Sequence, residues 1–204
     1  MNIKIIRVNT KKIEKLLKNI DNNYFLTETN KENLSFILEI SKRLNIKKNS
    51  LIKTIQNFKG LQYRQQIIFK NKYLTIINDS KSTSFSSSIG ILKTNHNIHW
   101  LLGGIHKKGD KLDLPKIYYK NINAYIFGKR KKFFIKNLTG KIKYENFDKL
   151  RDALKKVLKI VKKNRFTHQT IFFSPSAASF DSFKNFEDRG FYFNKLIKKY
   201  LNGI

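Results

Sequence analysis

Two stretches of the chain concentrate side chains that handle anions: Asn78-Asp79-Ser80-Lys81-Ser82-Thr83 and Ser174-Pro175-Ser176-Ala177-Ala178-Ser179-Phe180-Asp181. A third, residues 103–110, pairs Gly103-Gly104 with Lys107-Lys108, and a fourth is Gly128-Lys129-Arg130. Ammonium and guanidinium groups neutralise carboxylates and phosphates, while hydroxyls and glycine-exposed backbone N–H groups donate hydrogen bonds to them. Any one of these stretches has the composition of an ordinary turn with a surface lysine. Four of them, each directly following an apolar run, point to a single anion-handling site. The chain has no cysteine, which excludes disulfides and thiolate metal sites.

The elements that must position these loops follow from the periodicity. Ile3, Ile5 and Val8 form a short β-like run, and Ile13, Leu16, Leu17 and Ile20 a helical one. From Glu32, Leu34, Ile37, Leu38, Ser41 and Leu44 recur at helical spacing and predict one buried face, with Asn30 as its cap. Ser50 to Phe58 predicts a further helix with Leu51, Ile52 and Ile55 inward, and Gly60 ends the helical region. After Gly60 strands and helices alternate. A hairpin is expected around Asn71, with strands at 66–69 and 73–77, followed by a helix at 83–92. Strands are expected at 99–102, 124–127 and 170–173. Helices are expected along Leu150, Leu154, Val157, Leu158 and Val161, and along Phe193, Leu196, Ile197 and Tyr200. This pattern predicts an α/β fold: a mostly parallel, Rossmann-like sheet with helices on both faces, preceded by a mainly helical segment. In such sheets ligands sit beyond the carboxyl ends of the strands, which is where the four anion-handling loops fall.

In the same loops the sequence resembles the Mur ligases, specifically the type that adds D-glutamate to UDP-N-acetylmuramoyl-L-alanine. The resemblance is carried by Phe58-Lys59-Gly60-Leu61-Gln62-Tyr63-Arg64, Ile77 through Thr83, Leu101-Leu102-Gly103-Gly104-Ile105-His106-Lys107, Phe127-Gly128, and the long run from Ser174 to Gly190. A shorter match is Thr29-Asn30-Lys31-Glu32-Asn33. It extends from about residue 27 to the end and implies two parts: residues 1–57 as a remnant of the family's central ATP-binding domain, and residues 58–204 as its C-terminal domain. It places Asn30, Asn33, Arg64 and Asp79 at the adenine nucleotide and Lys81 at the reacting centre. Thr83, Lys107, Ser179, Phe180 and Phe186 fall at the incoming D-glutamate, with Lys108 an alternative to Lys107. For Phe180 and Phe186 the competing reading is ordinary core packing. The chain departs from the family pattern at Thr29 and Tyr63, where the family has His, and at Ser84, where Asn is usual.

The implied reaction takes ATP, UDP-N-acetylmuramoyl-L-alanine and D-glutamate through an acyl phosphate to an amide, with magnesium as the metal. The phosphate-cradling pattern Gly-x-x-Gly-Lys-Ser/Thr does not occur in the 204 residues. The family's metal ligands and UDP-sugar domain also lie upstream of the matched region. The expectation is therefore a ligase portion that is inactive without a partner chain carrying those parts. Two alternatives stand beside it: a degenerate amino-acid or nucleotide-binding module without catalysis, and a basic nucleic-acid-binding protein. The net charge of +29 suggests the last. Against it, the lysines are spread over a Lys-, Asn- and Ile-rich chain instead of forming one stripe, and no zinc-finger or RNA-binding signature accompanies them. Apolar runs are all shorter than the ~20 residues a membrane helix needs, and the opening run is too short for a signal-peptide core. The sequence-based expectation is a cytoplasmic protein without membrane contact.

Overall fold

The computed structural model describes residues 5, 6, 8, 11–18, 20, 22–26 and 28–201. The chain divides into two compact units, Met1–Gly60 and Leu61–Ile204.

The first unit contains α1 (Lys11–Leu17), a 3-10 turn (Asn23–Leu26), α2 (Glu28–Arg43) and α3 (Lys48–Asn57). Its core is small: Ile13, Ile20, Phe25, Leu34 and Ile55, with Leu16, Leu17, Tyr24, Leu38, Leu51 and Ile52 packed around them. Tyr24, Phe25 and Phe58 form a cluster of rings 5.1 to 5.8 Å apart. The Asn22 amide ties the end of α3 back to this core by donating to Ile55 O and Phe58 O. Three expectations are corrected. Helix α2 begins at Glu28, so Asn30 lies inside it and is no cap; its amide donates instead to Tyr24 O at 2.6 Å. Helix α3 begins at Lys48, two residues before the expected cap Ser50, and its N-cap residue Lys47 makes no side-chain cap bond. The expected α2 face splits: Leu34 and Ser41 are buried, while Ile37 and Leu44 are exposed, as are Phe36 and Ile40. The β-like run from Ile3 lies partly outside the described residues.

The second unit is a six-stranded sheet in the order β1-β2-β6-β3-β4-β5. Its strands are β1 (Gln66–Lys70), β2 (Leu74–Asn78), β3 (Ile98–Leu102), β4 (Ile122–Phe127), β5 (Lys143–Phe147) and β6 (Gln169–Phe173). Only β1, joined to β2 through the Asn71 turn, runs antiparallel. The turn forms because Asn71 Oδ1 accepts from the N–H groups of Tyr73 and Leu74, an Asx-type closure.

Strand β6 is last in the chain yet is inserted between β2 and β3. The loops leaving β2, β3 and β6 are therefore neighbours at one edge of the sheet, where an α/β sheet collects its ligands. The central strands are buried at every position, and their alternating side chains feed two cores. Trp100, Leu102, Ala124, Ile126 and Phe172 face α4 (Phe85–Thr94) and α5 (Lys132–Leu138). Leu101, Tyr125, Phe127, Ile171 and Phe173 face α6 (Leu150–Lys163) and α7 (Phe186–Tyr200). On α6 the stripe Leu150, Ala153, Leu154, Val157, Leu158, Val161 is buried throughout. At roughly 1.5–3 kcal/mol for each fully buried large aliphatic side chain, this stripe is a principal anchor of that face. Helix α7 begins at a proper cap: Asn185 Oδ1 accepts from Asp188 N at 2.8 Å, Glu187 and Asp188 occupy the first turn, and Lys198 and Lys199 the last. Helix α5 and strand β5 were not expected from the sequence. No described helix is long and apolar enough to cross a membrane.

Candidate functional site

Beyond the carboxyl ends of β2, β3 and β6 three loops are stitched together by backbone. Ile105 and Ala178 exchange both N–H···O bonds at 2.9 Å. Gly103 N donates to Pro175 O, and Ala177 N to Ser82 O. Gly103 and Gly104 make the approach possible. Both have positive φ, and a Cβ on Gly103 would overlap Phe127 O, while one on Gly104 would overlap Ala178 O.

Beneath this seam runs a chain of buried hydroxyls. Ser174 Oγ donates to Asp79 Oδ2 at 3.0 Å and pairs with Ser88 Oγ at 2.6 Å. Ser88 in turn meets Ser176 at 2.8 Å and Ser82 at 3.2 Å, and Ser82 meets Ser87 at 2.7 Å. One hydroxyl hub on α4 thus joins the loops after β2 and β6. Ser176, held there with φ of 54°, is the one residue of its loop in the left-handed region.

The residues expected at the ligand distribute around this seam. Ser179 is buried at its end, and Thr83 and Lys107 are exposed, all on the loops of the same sheet edge. Lys81 Nζ lies 3.9 Å from the centre of the Phe186 ring, so the structure brings these two expected residues into direct cation–π contact. Phe186 opens α7 and is half-buried. Phe180 is 71% exposed, in neither a core nor a water-excluding position in this structure. The first turn of α4 differs from expectation. The helix starts at Phe85, two residues late, and Phe85 N donates to Asp110 Oδ2 at 2.8 Å. A carboxylate of the chain itself therefore occupies one of the N–H groups at the start of this helix.

Of the residues expected at a nucleotide, Arg64 and Asp79 belong to the second unit, and Asn30 and Asn33 to the first. Arg64 and Asn33 are exposed. Asp79 is buried, with Oδ1 accepting from Gln65 N and Oδ2 from Ser174 Oγ. Burial pushes its carboxyl up to about 7, against the pull of those two hydrogen bonds and of the Arg64 and Arg189 charges. Its neighbour Asn78 is also spent internally, its amide donating to Gly190 O and Asn194 Oδ1. No group of three metal-ligating side chains occurs among the described residues.

Sequence reasoning missed Arg189, Ser88 and Asp110. Arg189 is fully buried between the loops: Nε donates to Ser80 Oγ, and Nη2 donates to Ser80 O at 2.7 Å and Ala177 O at 2.9 Å. The signal was available for Arg189, since an arginine at the fourth position of an amphipathic helix, beside a glycine, is out of place on a buried face. Ser88 and Asp110 carried no such signal.

No family model matches the chain. Curated relatives do. The UDP-N-acetylmuramoylalanine--D-glutamate ligase of Rickettsia felis is 31% identical over 175 residues, which is 86% of this chain and 39% of the relative. The ligase of the same name from Wolbachia pipientis is 32% identical over 170 residues, covering 83% and 33%. That of Francisella tularensis is 33% identical over 187 residues, covering 90% and 44%. The chain thus spans about two-fifths of the length of the curated relatives it matches. Among solved structures, MurF from Acinetobacter baumannii superposes with a TM-score of 0.60 over 86% of this chain and 38% of its own, at 15% identity. UDP-N-acetylmuramate-alanine ligase MurC from Thermotoga maritima gives 0.54 over 87% and 39%, also at 15% identity. These two share the fold. With similarity to curated relatives running through more than four-fifths of its residues, the chain belongs to the Mur ligase family.

Proposed function

We propose that this chain is the C-terminal, amino-acid-accepting portion of an ATP-dependent ligase that joins D-glutamate to UDP-N-acetylmuramoyl-L-alanine in cytoplasmic peptidoglycan-precursor synthesis. Residues 1–57 are then the end of a central ATP-binding domain and residues 58–204 the C-terminal domain. The observation that carries the reading is the seam of three loops at one sheet edge, which sets Lys81, Thr83, Lys107 and Ser179 on adjoining segments in a family whose matched relatives are named for D-glutamate addition.

D-glutamate presents two carboxylates and one amine. Lys107, Thr83 and Ser179 supply an ammonium and two hydroxyls for the carboxylates. Lys81, steered by the Phe186 ring, adds a second cation near the position where the amine must meet an activated acyl group. ATP is the implied cofactor, with magnesium. When bound it would supply the activating phosphoryl group. Within the second unit Arg64 is the exposed candidate to meet it, since Asp79 is buried and hydrogen-bonded internally. A phosphate-cradling loop and metal ligands would come from a partner chain bearing them. Titration of D-glutamate into the isotopically labelled chain, followed by backbone amide shifts, tests the reading. Shifts confined to residues 78–85, 103–110 and 174–186, and absent with L-glutamate, are expected. Shifts with neither enantiomer would leave the binding-module and nucleic-acid alternatives standing in its place.

A further inference from the structure

The most unusual charge in the second unit is Arg189. It is 1% exposed, and no ion pair to it forms among the described residues. The two carboxylates that influence it, Asp181 and Asp79, act only through space. Burying a guanidinium is costly unless its donors are matched. Here the matching is by neutral oxygen: Ser80 Oγ, Ser80 O and Ala177 O. Nη1 is buried and has no partner at all. The site therefore retains a buried positive charge without a contact ion pair, and an unused donor, under its loops.

The carbonyls that Arg189 holds stand one and two residues before the residues assigned to the ligand. Ser80 precedes Lys81, and Ala177 stands two residues before Ser179. A single fork thus fixes the spacing of the Lys81 and Ser179 loops. The third loop is pressed against the same group, because a Cβ placed on Gly104 would fall 3.2 Å from Arg189 Nη1. From the other side Ser80 Oγ also donates to Phe186 O, so the ring under Lys81 is located by the same cluster. Burial lowers the guanidinium to about 10, which leaves it charged at neutral pH.

We infer that Arg189 is the positioning residue of the site: it sets the distance between the Lys81 and Ser179 loops and keeps beneath them a buried positive charge without a contact ion pair, which favours an amino acid with an anionic side chain. This rests on the D-glutamate reading above. Selectivity follows because a buried, low-dielectric charge acts at several ångströms far more strongly than an exposed lysine does.

The test uses the 204-residue chain in three forms, wild type, Arg189→Met and Arg189→Lys, titrated with D-glutamate and with its neutral analogue D-glutamine. Met has similar bulk and carries no charge, and Lys keeps the charge without the fork. The expected result is a D-glutamate preference of tenfold or more in the wild type that falls to about threefold or less in Arg189→Met and is partly regained in Arg189→Lys, with D-glutamine affinity changing little. Equal affinities for D-glutamate in wild type and Arg189→Met would overturn the inference. So would loss of both ligands together in Arg189→Met without regain of the preference in Arg189→Lys, which would reduce Arg189 to a structural prop. A wild type that binds neither ligand would instead overturn the D-glutamate reading, and this inference with it. Ser80→Ala, which removes only the Nε partner, provides a milder variant should Arg189→Met not fold, and a preference unaltered in it by even threefold would count against the fork.

Discussion

Lys107 and Asp79 stand at the two extremes of exposure within one loop cluster, and their predicted behaviour differs accordingly. Lys107 is exposed, and its ammonium makes no hydrogen bond or ion pair among the described residues, while its carbonyl accepts from Asp110 N, so truncating the side chain should act on ligand alone. Lys107→Ala is expected to weaken D-glutamate binding by about 1–3 kcal/mol, the range for a charge-assisted hydrogen bond. The melting curve should be almost unmoved. Calorimetric titration beside a melting curve measures both, and an unchanged affinity would transfer the role to Lys108. Asp79 should show the reverse, an effect on stability that depends on pH. Its carboxyl is raised from 3.8 to about 7, so between those values the folded chain holds a proton that the unfolded chain has released. Stability from this group is full below about pH 4, falls as pH rises through the window, and levels off above about 7. A shift of that size corresponds to something on the order of 4 kcal/mol across the window. Asp79→Asn keeps the shape and removes the titration, so the difference in unfolding free energy between the two proteins should grow from pH 4 to pH 7. Urea melts at a series of pH values give that difference; a constant one would mean that Asp79 stays ionised in the fold.

At the scale of elements the two units differ in how well their helices are covered. Helix α6 buries six apolar side chains at helical spacing, whereas α2 leaves Phe36, Ile37, Ile40 and Leu44 exposed at 46 to 67%. Hydrogen exchange should therefore be slower across residues 170–173 than across residues 34–44, because local opening exposes little that is not exposed already. Equal protection would refute this. Within the second unit Leu154→Ala, which empties a fully buried site, should cost about 2–5 kcal/mol on denaturant unfolding. What the sequence could reveal divides along the same line. The central strands were legible because apolar runs bounded by glycine or serine have no other use in an α/β chain, and α6 was legible from its unbroken stripe. Strand β5, Lys143–Phe147, was not: it lies at the sheet edge with the pattern Lys-Tyr-Glu-Asn-Phe, where only two apolar side chains touch the core. Helix α5 is seven residues long, too short for a helical periodicity to emerge, and it follows directly on the basic run Lys129-Arg130-Lys131. The face of α2 was misassigned because helical spacing specifies which side chains align and not whether anything covers them. The site loops were legible by residue type, but the hydroxyl hub at Ser88 and the fork at Arg189 arise only when β6 is inserted between β2 and β3.

Over the whole molecule, two facts bear on activity: a formal charge of +29 and a sequence without a phosphate-cradling loop. The charge would draw the chain to any polyanion, and such attraction is sequence-independent and collapses steeply with salt. It therefore does not distinguish a nucleic-acid partner from a basic surface. Chemistry does distinguish the readings. Phosphoryl transfer depends almost wholly on positioning and charge stabilisation by a loop of backbone N–H groups, its lysine and a metal. The cations at the seam include Lys81, which is engaged with Phe186, exposed Lys107, and buried Arg189, and among the described residues no group of three metal-ligating side chains occurs. Under the proposed function this chain holds the amino acid, and activation of the acyl group falls to a partner chain. The expected outcome is that the purified 204-residue chain, given ATP, magnesium, UDP-N-acetylmuramoyl-L-alanine and D-glutamate, releases no phosphate above background, while D-glutamate still perturbs the amides of residues 174–186. Addition of a chain bearing a phosphate-cradling loop and the UDP-sugar domain should then restore phosphate release that depends on D-glutamate. Because the amide shifts are read before any partner is added, failure of binding and failure of catalysis are separated in one series. Turnover by the isolated chain would show that its own loops can activate the acyl group, and would overturn the division of labour argued here.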